Sequence, residues 1–216
     1  MVAETEMTNV LIVDDHPIVR RGLRDILNDE PEFNVTEAAT GHDALNLIKE
    51  QSFDLAIVDL DLPGMNGLEL LKEIKRFNKR LRVLILSVYP EDQFAVRVLK
   101  AGASGFVSKD TAPDQLVGAN KKILKGGRHI SDRVADLLLD HFDSQQTAPL
   151  HEKLSDREFQ ILGLIGEGKT IKQIAEELSL SAPTVSTYRA RILNKLEMKS
   201  SAELVRYSIE NQISRR

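Results

Sequence analysis

The chain contains no cysteine, which rules out disulfides, thiol catalysis and a cysteine-bound zinc. Its histidines, His16, His42, His129, His141 and His151, are scattered, with no close pair at metal-ligand spacing. Long hydrophobic runs are missing as well. Stretches such as Val83 to Leu86 fall far short of a membrane span, and the N-terminus carries no hydrophobic secretory segment. The expectation is a cytoplasmic protein. Internal repeats and low-complexity tracts are also lacking. Nor does one sign of charge dominate: 29 Lys plus Arg stand against 33 Asp plus Glu, a net charge of −4, so no global imbalance announces a nucleic-acid or membrane surface.

What is there is enough chain for two domains, each with its own core, at 216 residues. The charge is unevenly placed. From residue 151 onward 11 basic residues face 9 acidic ones, whereas the first 150 residues hold 18 and 24. A mildly basic segment on an acidic body permits DNA binding without proving it.

From Asn9 to about Gly127 short apolar runs alternate with helical patterns. The runs are Val10 to Val13, Phe33 to Val35, Leu55 to Val58, Val83 to Leu86 and Gly105 to Val107. Between them Leu68, Leu71 and Ile74, and then Phe94, Val98 and Leu99, recur at helical spacing. Strands apolar on both faces and separated by helices predict a doubly wound α/β domain around a five-stranded parallel sheet. Function in such sheets gathers at the carboxyl ends of the strands. A further helix is predicted from Ser131 to Phe142, followed by a polar linker from Asp143 to Pro149.

Asp14 and Asp15 end the first predicted strand, Asp59 the third and Ser87 the fourth, and Lys109 follows the fifth. Crowded carboxylates repel, so the set calls for a cation, and oxygen donors with room for water suit Mg²⁺ better than zinc. Beside such a cation a carboxylate can attack phosphorus in line. Lys109 would bring a mobile positive charge to phosphoryl oxygens, and Ser87 a hydroxyl donor. Taken singly, Asp59 before Pro63-Gly64 reads as a turn residue and Lys109 as an ordinary surface lysine. The ordered set at successive strand ends carries the reading.

Val13-Asp14-Asp15-His16, Val58-Asp59-Leu60, Pro63-Gly64-Met65-Asn66-Gly67, Leu86-Ser87 and Ala101-Gly102-Ala103-Ser104-Gly105-Phe106-Val107-Ser108-Lys109 resemble the receiver domain of bacterial two-component response regulators. The resemblance implies a flavodoxin-like domain over residues 8–128 with Asp59 as phosphoacceptor. It further implies that Asp15 and Asp59 bind Mg²⁺ directly, Asp14 through water, and Asp61 through its carbonyl. Ser87 and Phe106 would be the switch positions, with Lys109 on the phosphoryl group. Two positions depart from the pattern: Phe106 stands where many receivers carry tyrosine, and Asp110 where many carry a cis proline. A cis bond before a non-proline residue costs about 2.5–4 kcal/mol. As a plain alternative, Phe106 is a core residue of the last strand.

After the linker region (129–152 with its preceding helix) the chain reads as all helix over 153–216. Ser155-Asp156-Arg157-Glu158 has the form of a capping box, and Thr170-Ile171-Lys172-Gln173 repeats the device. Ser181 caps a third helix with Pro183 in its first turn, and a fourth runs from about Ser200 to Asn211. Ile171, Ile174, Ala175 and Leu178 form one stripe, and the tight connection to the next helix indicates a helix-turn-helix. In the helix from Ala182 to about Leu196, Val185, Ile192 and Leu196 share one face, and Ser186, Thr187, Ala190, Arg191 and Asn194 point away. Such a small, polar, cationic face suits a major groove; alone, it equally fits the solvated side of a bundle.

Leu154-Ser155-Asp156-Arg157-Glu158, Gly166-Glu167-Gly168, Ile174-Ala175, Leu180-Ser181, Thr184-Val185-Ser186-Thr187-Tyr188 and Ile192-Leu193-Asn194-Lys195-Leu196 resemble the four-helix DNA-binding domain of LuxR type. The whole chain is therefore similar to the NarL/FixJ class of response regulators. That resemblance implies a sensor histidine kinase as partner, promoter half-sites on double-stranded DNA as target, and a homodimer on phosphorylation. Base readout would lean on Thr187, Arg191 and Asn194, with Ser186 beside them. Arg189, Lys195 and Lys199 are the candidates for phosphate contacts. An enzyme alternative rests on Asp59-Leu60-Asp61, which resembles the nucleophile and acid pair of haloacid-dehalogenase-type phosphatases, although there the motif normally ends the first strand.

Overall fold

The computed structural model describes residues 7–89, 91–143, 149–211 and 213–214. The chain divides into two compact units, Met1–Ala135 and Asp136–Arg216. Of the polar stretch read as a linker, residues 144–148 lie outside the described residues.

The first unit alternates strand and helix: β1 (Thr8–Val13), α1 (Pro17–Asn28), β2 (Phe33–Ala38), α2 (Gly41–Glu50), β3 (Leu55–Asp59), α3 (Gly67–Phe77), β4 (Arg82–Ser87), α4 (Glu91–Lys100), β5 (Gly105–Ser108) and α5 (Ala112–Leu124). All ladders are parallel, in the order β2-β1-β3-β4-β5. Each predicted apolar run lies in one of these strands. Alternation along the strands builds two faces. Val10, Ile12, Leu55, Ile57, Leu84, Leu86 and Val107 pack with Leu23 and Leu27 of α1 and Leu116, Ala119 and Ile123 of α5. Leu11, Val13, Ala56, Val58, Val83 and Ile85 alternate with them and are equally buried, on the side where α2, α3 and α4 contact the sheet. The register sets Asp59 beside Leu86 and Ser87 beside Ser108, so the candidate residues of β3 and β4 emerge together at one end.

α6 (Asp132–Asp143) follows, within a residue of its expected span, and the division between the two units falls inside it. Within the second unit a short 3₁₀ turn follows at Leu150–Lys153, which the sequence pattern did not predict. Its helices are α7 (Asp156–Gly166), α8 (Ile171–Glu177), α9 (Ala182–Lys195) and α10 (Ser201–Glu210). Ser155 and Thr170 form the two expected capping boxes, with Glu158 and Gln173 respectively, and Ser181 accepts from the backbone N–H of Thr184. α7 is buried on every side, with α8, α9 and α10 packed against it. Within it the buried Arg157 donates to Gln160 Oε1 at 2.7 Å and to the carbonyl of Leu178 at 3.2 Å, tying the central helix to the end of α8.

Candidate functional site

At the carboxyl end of the sheet Asp14 and Asp59 are buried, Asp15 is half-buried, and Lys109 reaches in from the loop after β5. The Lys109 ammonium lies 2.7 Å from Asp14 Oδ2 and 2.7 Å from Asp59 Oδ2. Asp14 is fixed by the backbone N–H of His16 donating to its Oδ1 at 2.8 Å, and Asp59 Oδ1 accepts from the N–H of Asp61 at 3.3 Å. Burial pushes the Asp59 carboxyl up to about 7, ahead of the opposing pull of Lys109, and Asp14 and Asp61 add repulsion. On Lys109 burial works against the charge, but Asp59 and Asp14 outweigh it and hold the ammonium above the ordinary lysine value.

Two glycines shape the chain beside this pocket, one by its backbone angle and one by its lack of a side chain. Gly64 sits at φ +74° in the loop after β3, in the left-handed region that favours glycine. At Gly67, a Cβ would fall 2.1 Å from the carbonyl oxygen of Asp59. Only a glycine lets α3 begin this close to the backbone at the end of β3. Asn66 then caps α3 through a capping box with Glu69.

Ser87 is fully buried, and its Oγ accepts from the N–H of Tyr89 at 2.9 Å. Phe106 is turned inward, 1 % exposed. The Lys109–Asp110 bond is trans, as no cis peptide occurs among the described residues. Two neighbours escaped the sequence reading. Tyr89 is buried beside Ser87 and packs against Phe94 with the rings tilted and their centroids 4.7 Å apart; its position two residues after Ser87 was the available signal. His16, passed over as one of the scattered histidines, joins Asp14, Asp15 and Asp59 in a cluster whose candidate ligand atoms lie within 4.8 Å of one another. Its Nδ1 is 2.8 Å from Asp15 Oδ1. Oxygen donors from three carboxylates in one place are a fit for a hard divalent cation.

In the second unit four residues, Leu178 to Ser181, join α8 to α9. Ser186, Thr187, Ala190, Arg191 and Asn194 are exposed along α9, while Val185, Ile192 and Leu196 are buried. Thr187 donates its hydroxyl to the carbonyl of Pro183 at 3.0 Å, and the Arg191 guanidinium lies 5.8 Å from the Tyr188 ring centroid. Two cations of the set are engaged within the unit. Arg189 Nε donates to Ser201 Oγ at 2.6 Å, and Lys195 Nζ to Glu158 Oε2, also at 2.6 Å. Lys199 is exposed.

An acidic pocket at the strand ends of a flavodoxin-like sheet, on a chain that also carries a helix-turn-helix unit, defines a two-domain regulator. Residues 10–121 match the family model of the response regulator receiver domain, and residues 152–208 that of bacterial regulatory proteins of the luxR family. The chain is 35 % identical over 207 residues to the response regulator UvrY of Escherichia coli, covering 95 % of each. It is 35 % identical to the response regulator GacA of Pseudomonas aeruginosa, covering 95 % of this chain and 97 % of that protein. Among solved structures it resembles RcsB of Salmonella typhimurium, with a TM-score of 0.67 at 28 % identity, covering 95 % and 98 % of the two chains. An RcsB–DNA complex is similar as well, with a TM-score of 0.58 at 29 % identity over 93 % and 97 %. The chain belongs to the two-component response regulators of the NarL/FixJ class, DNA-binding transcriptional regulators that join a receiver to a LuxR-type domain. The phosphatase reading of Asp59-Leu60-Asp61 gives way to this family, and the motif ends the third strand, at the centre of the sheet. No helix among the described residues is long and apolar enough to cross a membrane.

Proposed function

We propose that the chain is a cytoplasmic switch set by phosphorylation of Asp59 by a sensor histidine kinase and read out as promoter binding by a homodimer. The observation that carries the reading is the Lys109 ammonium held between the buried Asp14 and Asp59 carboxylates at 2.7 Å each. A lysine so placed can follow one of its partners' oxygens onto a phosphoryl group. Asp59 Oδ attacks phosphorus in line, the bond to the kinase's phosphohistidine nitrogen breaks, and Lys109 stays within reach of the new oxygens. Asp15 and Asp59 are the direct ligands for Mg²⁺ in this scheme, with Asp14 acting through water and Asp61 through its carbonyl. Bound there, Mg²⁺ supplies positive charge that neutralises the incoming oxygens. His16, exposed over 63 % of its side chain, is free to swing off Asp15. Ser87 exchanges its contact with the Tyr89 N–H for a phosphoryl oxygen, and Phe106 responds at the same end of the sheet. The shift changes the equilibrium between two surfaces of the receiver, and a dimer then meets paired half-sites about one helical turn apart.

On the DNA side Ser186, Thr187, Arg191 and Asn194 form the exposed face of α9 and are assigned to base edges. Lys199 is assigned to phosphate. Arg189 and Lys195 complete the phosphate set only by sharing or leaving their contacts to Ser201 and Glu158. The solved RcsB assemblies include two dimers bound to two parallel DNAs, which supports the same arrangement here.

Intact-mass measurement after incubation with Mg²⁺ and a small phosphodonor, on wild type and Asp59→Asn, tests the scheme. The expected result is a gain of one phosphoryl group in the wild type alone, with tighter promoter binding by that form. Equal DNA binding by the phosphorylated protein and Asp59→Asn would sink the coupling; a phosphoryl group on Asp59→Asn would sink the site.

A further inference from the structure

A second charged concavity lies at the other end of the first unit, where the chain enters β4 and β5. It is an open cavity of about 280 Å³, smaller than the roughly 300–1,000 Å³ typical of pockets for drug-sized ligands. Lys75, Lys79, Arg80, Arg82 and Arg128 supply five cations to its lining, Ser104 adds a hydroxyl, and no described carboxylate takes part.

Five cations gathered round one hollow without counter-charge set this place apart. Several cations elsewhere on the unit have partners: Arg20 and Arg24 pair with Glu37, and Lys121 with Glu30 and Glu32. None of the five cavity cations makes an ion pair within 4 Å among the described residues, on a segment where acidic residues outnumber basic ones. Lys75 is held in place by donating to the carbonyl of Leu81 at 2.6 Å. Burial first, then the neighbouring Arg128 and Arg82, holds its ammonium below the ordinary lysine value. Ser104 Oγ accepts from the Val83 N–H at 3.4 Å, which leaves its own proton to donate. Like charges gathered around one hollow repel until an anion enters it.

We propose that this cavity binds a compact, multiply charged phosphate chain, free or carried by a nucleotide, at a site separate from Asp59. Three guanidinium groups offer paired donors that match phosphate oxygens bidentately, and the two lysines add point charges. A chain of linked phosphates meets more of these donors than a single small anion can. The cations surround a hollow rather than forming the long stripe along which a duplex lies.

The test uses the full-length protein in EDTA, with sodium tripolyphosphate and ATP as separate probes. Calorimetry reads affinity, and amide NMR reads position. The expected result is one saturable site with Kd below about 1 mM and shifts centred on Gly102, Ser104, Gly126 and Gly127. Combined Arg82→Ala and Arg128→Ala substitution is expected to weaken binding by about tenfold for each arginine removed. Lys79→Glu, on the exposed loop before β4, weakens it without touching the core, whereas Lys199→Ala leaves it unchanged. Equal affinity for the two probes assigns the phosphate chain alone; tighter ATP binding assigns the nucleotide source. Absence of saturation by either probe overturns the proposal. Shifts centred on α9, or shifts at the cavity produced only by duplex DNA, overturn it as well.

Discussion

Burial raises the Asp59 carboxyl to about 7; the pull of Lys109 exceeds the repulsion from Asp14 and Asp61 but does not offset the loss of solvation, so at neutral pH the pocket carries charge that folding disfavours. An uncharged isostere removes that cost. In metal-free buffer at pH 8, Asp59→Asn is expected to gain about 1–3 kcal/mol of stability, measured by urea denaturation. The sign with pH follows from a folded value above the unfolded one near 3.8: the penalty is complete above about 7 and absent below about 4. The advantage of Asp59→Asn therefore shrinks as the pH is lowered, and an advantage that grew toward acid would contradict it. Lys195 and Glu158 behave oppositely. Burial alone would raise the Glu158 carboxyl, but hydrogen bonds from Lys195 and Ser155 outweigh it and hold it below the ordinary glutamate range, so the stability it contributes is present at neutral pH and lost as pH falls through the folded value. Lys195→Met is expected to cost about 1–2 kcal/mol, less than a fully buried pair because Lys195 still reaches solvent. Urea melts at pH 7 and below pH 4 check it, and the difference from wild type should narrow in acid. A DNA-binding defect in a Lys195 variant thus mixes stability with contact, and Lys199→Ala is the cleaner probe of phosphate. Glu158 was readable as a cap because Ser155 stands three residues before it. Its second partner lies 37 residues on, and no local spacing announces such a pair.

Three helices of the second unit end in one pattern, a left-handed residue followed by a backbone bond reaching back over the last turn. After α7 the residue is Gly168 at φ +79°, after α8 Ser179 at +52°, and after α9 Glu197 at +58°. The closing bonds run from Lys169 N–H to Leu164 O, from Leu180 N–H to Ala175 O and from Met198 N–H to Leu193 O, at 3.2, 2.8 and 2.8 Å. The left-handed conformation costs an ordinary residue about 1–2 kcal/mol, and glycine is spared it. Glu197 is exposed, so Glu197→Gly is expected to raise stability by about 0.5–1 kcal/mol, the relief being reduced by the freer unfolded chain. Thermal melts read the change, and a lower midpoint would show that the glutamate contributes something its backbone geometry does not reveal. These endings explain which elements were legible. Strands such as β1 and β3 declared themselves by continuous apolar runs, and helix starts by Ser155, Thr170 and Ser181. The stops after α8 and α9 lacked the glycine that marks them, and the 3₁₀ turn at Leu150–Lys153 has no apolar period. The end of the sheet where Asp14, Asp59 and Ser87 meet followed from strand order, but the seat of Lys109 between two carboxylates is a matter of side-chain reach that spacing leaves open.

Across the whole molecule the charge is arranged against indiscriminate DNA binding. The last 66 residues carry only 2 more basic than acidic residues, the first 150 carry 6 more acidic than basic, and the chain as a whole stands at −4. A single copy thus has little electrostatic attraction to a duplex, and on the DNA contacts proposed above its affinity rests on a few residues near α9. Under the proposed scheme phosphorylation changes that number by pairing two copies on two half-sites. Counterion release ties the salt dependence to phosphate contacts, with log K falling by about 0.9 per neutralised phosphate against log salt. Pairing doubles the contacts, so the slope for the phosphorylated protein on paired half-sites is expected at about twice that of Asp59→Asn. Lys199→Ala should lower the slope of the phosphorylated form by about 1.8, one contact from each copy, and weaken binding alike on specific and scrambled DNA. Arg191→Ala, assigned to a base edge, should instead relax one position of the site with little change in slope. Titrations at several salt concentrations distinguish these outcomes. A higher affinity for the phosphorylated form at an unchanged slope would mean that phosphorylation acts on a single bound copy, and the dimer would drop out of the mechanism while Asp59 stayed in it.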